Sequence, residues 1–258
     1  MTLRRRFLAM GTTIELLVDA ERADRPLAAA EGEFHRLERV LTRFRDDSEL
    51  SRLNHDGAID AGPDLVRVIA LALDARDRTD GRFDPTVHDA LLAAGYDRTF
   101  AELTDGDLGE PRPGGGGVHL DGSRIVLDEG VRVDLGGIGK GYAAERAAEI
   151  LAVAGPALVN AGGDIAVRGG AWPIGVEDVT LELSSGGLAT SGRDRRRWSR
   201  GGREQHHLID PRTGAPARTE LLRVTVVADD AVEAEVQAKN VFLGGRPEGC
   251  AYVLAVSA

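Results

Sequence analysis

Val133-Asp-Leu-Gly-Gly-Ile-Gly-Lys-Gly-Tyr142 stands between a short alternating apolar stretch and a run rich in Ala, Glu and Leu that continues to Val153. The order reads as strand, glycine loop, lysine, helix. That order aims free backbone N–H groups and the positive end of a helix dipole at one place, which makes a natural anion site. Glycines in such a loop also serve a tight turn with close helix packing, and the residues alone leave both readings open. The loop fits neither familiar phosphate motif. A Walker loop needs Gly where Asp134 stands and Ser or Thr where Gly141 stands, and a Rossmann fingerprint needs Gly where Tyr142 stands. Lys140 singles the loop out further, because the chain has only one other lysine, Lys239, among 32 Lys and Arg residues. A high-GC genome would explain the scarcity. The placement matters more, since lysine is a compact point charge on a flexible stem where arginine is a planar fork.

Composition bounds what the loop can serve. With 258 residues, 42% of them apolar, the chain can bury a full core. The formal net charge of -10 disfavours a nucleic-acid partner, whose affinity comes from neutralising phosphates; a small anionic ligand needs only local positive charge. No segment approaches the ~18 to 20 apolar residues of a membrane span. The arginine cluster Arg4-Arg-Arg6 is followed too soon by Glu15 and Asp19 for a signal peptide, so a soluble, cytoplasmic protein is expected. Cys250 is the single cysteine, which excludes an intrachain disulfide and a cysteine zinc cluster; it reads as a buried apolar filler.

Leu27, Ala30, Phe34, Leu37, Leu41 and Phe44 recur at helical spacing, with Asp24 and Pro26 at the start. Leu65, Ile69, Ala72 and Leu73 predict a second helix, entered through Pro63 and left near Gly81. A third, short one follows Asp84-Pro-Thr86 and ends at Gly95. The Gly- and Pro-rich stretch 104–117 reads as a mobile surface loop. Arg124–Leu127 and Val131–Leu135 are expected to form a hairpin around Asp-Glu-Gly, and Leu181–Leu183 and Leu188–Thr190 two strands joined through Ser184-Ser-Gly-Gly187. Asn160 and Asp164, around Ala-Gly-Gly, could meet a ligand or hold a turn. The basic tip Arg193–Arg200 reads as a solvated arm. His207, at a strand end beside the Asp210-Pro211 turn, is a candidate general base, because its proton equilibrium lies near neutral pH.

Seven motifs occur in one order: Met10-Gly-Thr12; Phe44 before Asp47-Ser48 with Ser51-Arg-Leu-Asn54; Phe83-Asp-Pro-Thr86; Asp134-Leu-Gly-Gly-Ile-Gly-Lys-Gly141; Asn160-Ala-Gly-Gly-Asp164; Ala189-Thr-Ser-Gly192; and His207-Leu-Ile-Asp-Pro-Arg-Thr-Gly214. Together they resemble the FAD:protein FMN transferase (ApbE) family nearly end to end. The resemblance implies one domain over residues 1–258 with an α+β fold, a two-part architecture of mixed sheet and helices around a central nucleotide-binding cleft. It implies an enzyme that takes FAD as donor, cleaves it, and attaches FMN by a phosphoester to Ser or Thr of an acceptor protein. Carried over by motif, Met10, Phe44, Arg82, Phe83 and Asp84 would contact the flavin nucleotide. Asp134, Gly137 and Lys140 would lie by the ribose or phosphates, with Thr190 and Leu208 also contributing to the pocket. His207 would accept the proton of the acceptor hydroxyl. FAD hydrolysis to FMN and AMP, and non-catalytic FAD delivery, are the alternatives.

One stretch departs from the pattern. The resemblance implies Mg²⁺ held by a C-terminal Asp, a Thr four residues later and a glycine-loop carbonyl, here assigned to Gly137. In this chain the matching positions are Glu235 and Lys239. A protonated lysine has no lone pair and cannot ligate a metal. Glu235 and Lys239, four apart, read either as an ordinary helix ion pair of ~0.2 to 0.5 kcal/mol or as a charge arrangement in which Lys239 takes over from the metal at the FAD pyrophosphate.

Overall fold

The computed structural model describes residues 1–257. The chain opens with strands β1 (Thr2–Ala9) and β2 (Thr12–Asp19), joined by a two-residue turn in which Met10 and Gly11 have φ of 51° and 67°. Positive φ at both central positions matches the twist of the flanking strands. It is costly for a methionine, a strain the turn itself imposes. Helix α1 (Asp24–Leu41) buries Leu27, Ala30, Phe34, Leu37 and Leu41, the stripe expected from periodicity, whereas Phe44 lies beyond the helix end and is exposed. Next come α2 (Glu49–Asp56), β3 (Ala58–Asp60), α3 (Pro63–Arg78) and the short α4 (His88–Ala93). Ser48 caps α2 by accepting from Ser51 N at 2.9 Å.

Segment 104–117 contains no helix or strand, and it is tied at several points: Gly109 N donates to Ala93 O, Gly114 N to Pro211 O and Gly115 N to Thr86 Oγ1. The hairpin that follows is not the expected one. β4 (Val118–Asp121) pairs with β5 (Arg124–Leu127), and β5 also pairs with β3, while Val131–Leu135 is no strand. The Asn54 side chain takes the place of a ladder there, donating to Val133 O at 2.8 Å and accepting from Val133 N at 2.7 Å. The backbone entering the glycine loop is thus satisfied by a side chain from α2.

Helix α5 (Gly139–Ala152) begins inside the glycine loop. Strands β6 (Ala157–Ala161), β7 (Asp164–Val176) and β8 (Val179–Gly192) follow, then the hairpin of β9 (Arg197–Arg200) and β10 (Arg203–His206) and the small pair β11 (Ile209–Asp210) and β12 (Ala215–Pro216). β13 (Leu221–Ala228), α6 (Ala231–Phe242) and β14 (Cys250–Ser257) complete the described chain. Asp230 caps α6 by accepting from Glu233 N at 2.7 Å. Cys250 is half-buried at the start of β14 rather than a core filler, because it opens a strand at the sheet edge.

Seven strands form one antiparallel sheet in the order β1-β2-β6-β7-β8-β13-β14. Helices α5 and α6 pack against this sheet and each other, and α1 packs on α5. α5 is therefore enclosed, which is why its buried side chains include Ala143, Ala144, Ala147 and Ala148: only small residues let a helix lie this close to its neighbours. Leu158, Val167, Trp172, Ile174 and Leu188 form a separate apolar cluster. This mixed helix and sheet architecture is the expected α+β class. Among the described residues no helix is long and apolar enough to cross a membrane.

Candidate active site

A cavity of about 890 Å³ opens where the end of α1, the turn before α4, the glycine loop and the β10–β11 segment meet. Its size falls in the range of small-molecule sites. Most of the residues singled out by motif converge on it. Met10, Phe44, Arg82, Phe83 and Asp84 line it, as do Asp134, Gly137, Lys140, His207, Leu208 and Lys239. Thr190 is not brought there; it is exposed on β8, and its hydroxyl pairs with that of Thr225 across the sheet at 2.8 Å.

The glycine loop is held by its own aspartate. Asp134 Oδ1 accepts from Gly136 N at 2.8 Å, its Oδ2 meets Arg43 Nε at 2.8 Å, and its backbone N donates to Pro85 O at 2.8 Å. The last bond ties the loop to Asp84-Pro-Thr86, where Asp84 Oδ1 accepts from both the backbone N and the hydroxyl of Thr86. Phe83 is buried and lies against Gly137: a β-carbon there would stand 3.1 Å from its ring. Arg43, which carried no sequence signal, has a buried side chain, with its guanidinium 4.3 Å from the Phe44 ring centroid and 4.7 Å from that of Tyr96. Tyr96 in turn packs on Trp198 of β9. The basic tip is accordingly docked, not a solvated arm. Trp198 Nε1 donates to Ala94 O, Arg200 binds the carbonyls of Thr104 and Asp107, and Arg196 lines the cavity.

Under the loop lies a buried charge cluster. Lys140 Nζ donates to Glu235 Oε1 at 2.7 Å and also to Asp164 Oδ2; Lys239 Nζ donates to the same Glu235 oxygen at 3.2 Å. Glu235 Oε2 accepts from Gly141 N at 2.9 Å, so the N-terminus of α5 already holds an internal anion. Asn160 Oδ1 accepts from Gly163 N, which holds the turn that delivers Asp164. Burial works against the Glu235 carboxylate, yet the two lysines beside it bring its pKa from 4.5 down to about 2. Burial likewise opposes the Lys140 ammonium, but Asp164 and Glu235 raise its pKa. Burial and the charge of Glu235 raise Asp164 against the pull of the lysines, and burial, helped by Lys140, lowers Lys239. Glu235 and Lys239 thus form the expected i,i+4 pair, buried within a four-residue network and not on a solvated helix face.

His206 and His207 point to different surroundings, as successive residues of an extended segment do. His206 is buried beside Phe242, with Nε2 3.0 Å from Ala217 O. His207 Nδ1 lies 3.4 Å from Arg196 O. A carbonyl only accepts, so Nδ1 carries the hydrogen and the lone pair sits on Nε2. Burial first, then the positive charges of Arg196, Lys239 and Lys140, hold the His207 pKa well below 6.5. The imidazole is neutral at pH 7 and able to accept a proton.

The metal implied by the motif resemblance does not fit this donor set. Both oxygens of Glu235 are taken, one by two ammonium groups and the other by a backbone N–H. Lys239 fills the gap between Glu235 and Gly137, because a β-carbon on Gly137 would stand 3.2 Å from Lys239 Cε. A divalent ion there would face an ammonium instead of a ligating oxygen. Among the described residues, no group of three or more His, Cys, Asp and Glu is placed to hold a metal.

A mixed α+β fold with a cavity lined by a neutral histidine and two lysines defines a class of cleft proteins suited to anionic ligands. The chain belongs to the ApbE family: the model of that family matches residues 10–257. The chain is 28% identical over 249 residues to the FAD:protein FMN transferase of Klebsiella pneumoniae, covering 84% of this chain and 71% of that protein. It is 29% identical over 286 residues to the FAD:protein FMN transferase of Treponema pallidum, covering 95% and 79%. The crystal structure of the ApbE protein of Thermotoga maritima superposes with a TM-score of 0.89 at 26% identity, covering 100% of this chain and 94% of that one. The fold is also that of the Pseudomonas stutzeri flavinyl transferase ApbE, with a TM-score of 0.79 at 22% identity over 95% of this chain and 85% of that one.

Proposed function

We propose that this chain is an FAD:protein FMN transferase, and that the acceptor is a protein presenting a Ser or Thr hydroxyl at the mouth of the cavity. The observation that carries the reading is a neutral, cavity-lining His207 beside Lys140 and Lys239. In the proposed reaction the acceptor oxygen attacks the phosphorus of the FMN half of FAD. The new phosphoester P–O bond forms as the P–O bond to AMP breaks, AMP leaves with the electron pair, and His207 Nε2 takes the hydroxyl proton. Phosphoryl transfer needs positioning and charge neutralisation more than covalent help from the protein, and the cavity supplies both. Asp134 and Arg43 fix the glycine loop, and the ammonium groups face the diphosphate. Phe44 lines the cavity with an exposed ring, and we assign it to the isoalloxazine.

The test is incubation with FAD and a candidate acceptor, followed by flavin fluorescence of the denatured acceptor and assay of AMP. Fluorescent acceptor with stoichiometric AMP is expected. AMP and free FMN without labelled acceptor, across several acceptors that related transferases modify, would make the chain a hydrolase and refute the transfer.

A further inference from the structure

We propose that Lys239 is the built-in cation of this cavity and that, together with Lys140, it engages the diphosphate of FAD without a divalent metal. The inference rests on the reading of FAD as substrate and adds how its charge is met. Each ammonium has three N–H donors. Lys140 uses two, on Asp164 and Glu235. Lys239 also uses two, on Glu235 Oε1 and, at 3.4 Å, the Glu235 backbone carbonyl. One N–H of each is left over, and both side chains line the cavity, retaining 17% and 16% exposure. Two spare charge-assisted donors on one wall are what a pair of phosphate oxygens would take.

The balance of the cluster points the same way. Two carboxylates and two ammonium groups sum to zero, so an incoming diphosphate meets no net repulsion. Without Lys239 the same cluster would be net negative where a polyanion has to bind, and a cation from solution would be needed. Lys239 holds its place through its stem as well as its charge. The methylenes pack against Gly137, whose missing side chain makes room for them, and Glu235 at 1% exposure fixes the head. The lysine therefore occupies the space between glycine loop and carboxylate permanently, and needs no recruitment from solution.

The experiment is FAD binding, read as quenching of flavin fluorescence, to the full chain in EDTA and in Mg²⁺. Wild-type affinity should agree within about twofold between the two conditions. Lys239→Met keeps the volume and removes the charge, and should bind about tenfold more weakly, or worse, in EDTA. Lys239→Thr removes one of the two ammonium groups on Glu235 Oε1 and sets a hydroxyl beside it, so Mg²⁺ should strengthen FAD binding to this variant and not to the wild type. Thermal unfolding of both variants confirms that they fold, and the wild-type comparison stands by itself if they do not. Wild-type binding that requires Mg²⁺ overturns the inference and leaves the substrate reading standing, as does undiminished binding by Lys239→Met in EDTA. Absence of FAD binding under both conditions overturns both.

Discussion

Replacing Glu235 by Gln should be among the most destabilising single changes in this chain. The carboxylate is 1% exposed and accepts from Lys140 at 2.7 Å, Lys239 at 3.2 Å and Gly141 N at 2.9 Å. A carboxyl whose pKa falls from 4.5 to about 2 on folding contributes about 3 kcal/mol at neutral pH. Gln forfeits that contribution. It also leaves Lys239 without an anion, and breaking a buried pair by removing one partner costs about 3 to 5 kcal/mol. The two figures describe one effect and do not add. For a chain of this size each kcal/mol corresponds to about 2–4 °C, so the variant should melt roughly 6–20 °C lower. Differential scanning calorimetry at pH 7 measures this directly. The pH dependence gives a second check with a definite sign. Because the folded pKa is depressed, the stabilisation is fully present above 4.5 and is lost as pH falls through about 2. The gap between wild type and variant should hold from pH 7 to pH 5 and close below that. A melting difference under about 2 °C, or a gap that widens on acidification below the carboxylate range, would refute the account of the cluster.

His207→Ala should lower the transfer rate about 10²- to 10⁴-fold, the usual worth of a general base, while FAD quenching is retained; loss of binding in step with rate would make the residue structural. Gly141→Ala should destabilise by roughly 1–3 kcal/mol in urea unfolding. Its new methyl would lie 2.7 Å from the Ala231 carbonyl, a backbone atom at the α5–α6 contact that has little room to yield; wild-type stability would show that the helices separate easily. Because His207 is held well below 6.5 in the free protein, transfer measured at limiting FAD, whose pH profile reports the free protein, should show no acid limb near 6.5. A limb there would mean the imidazole sits in water and not under its basic neighbours.

What could be read from the sequence was local. α1 and α3 announced themselves by helical spacing, and the start of α5 by the glycine loop. The errors came from contacts between distant segments. Ser184-Ser-Gly-Gly187 looks like a turn, yet β8 runs straight through it. Gly187 is there because a β-carbon would stand 2.2 Å from Ala231 N, so the glycine admits the start of α6 and does not reverse the chain. Val131–Leu135 has strand composition, but Asn54 meets the Val133 backbone first. Arg43, Tyr96 and Arg196 line the site with no motif of their own, and an arginine in this chain is one of thirty. The charge cluster lay in between. The Glu235–Lys239 spacing was visible, but its meeting with Lys140 and Asp164 joins residues up to 95 positions apart.

That meeting links the charge of the substrate to the strength of the base. Lys140 and Lys239, the groups assigned to the diphosphate, are also among those that hold His207 unprotonated, together with Arg196. In the free protein burial, with their charge added, makes His207 a poor proton acceptor, which keeps it neutral and ready. A diphosphate bound on the lysines offsets that field, so the proton affinity of His207 should rise as FAD arrives. The acceptor hydroxyl would then meet a stronger base than the empty cavity contains, and only when the donor is in place. Titration of the His207 ring by NMR, in the free protein and with FAD bound, measures the effect. The expected direction is upward on binding, and more weakly so in Lys239→Met, where one of the two lysine charges is already gone. A pKa that stays fixed or falls when FAD binds would separate the lysines from the histidine and leave the two halves of the site acting independently.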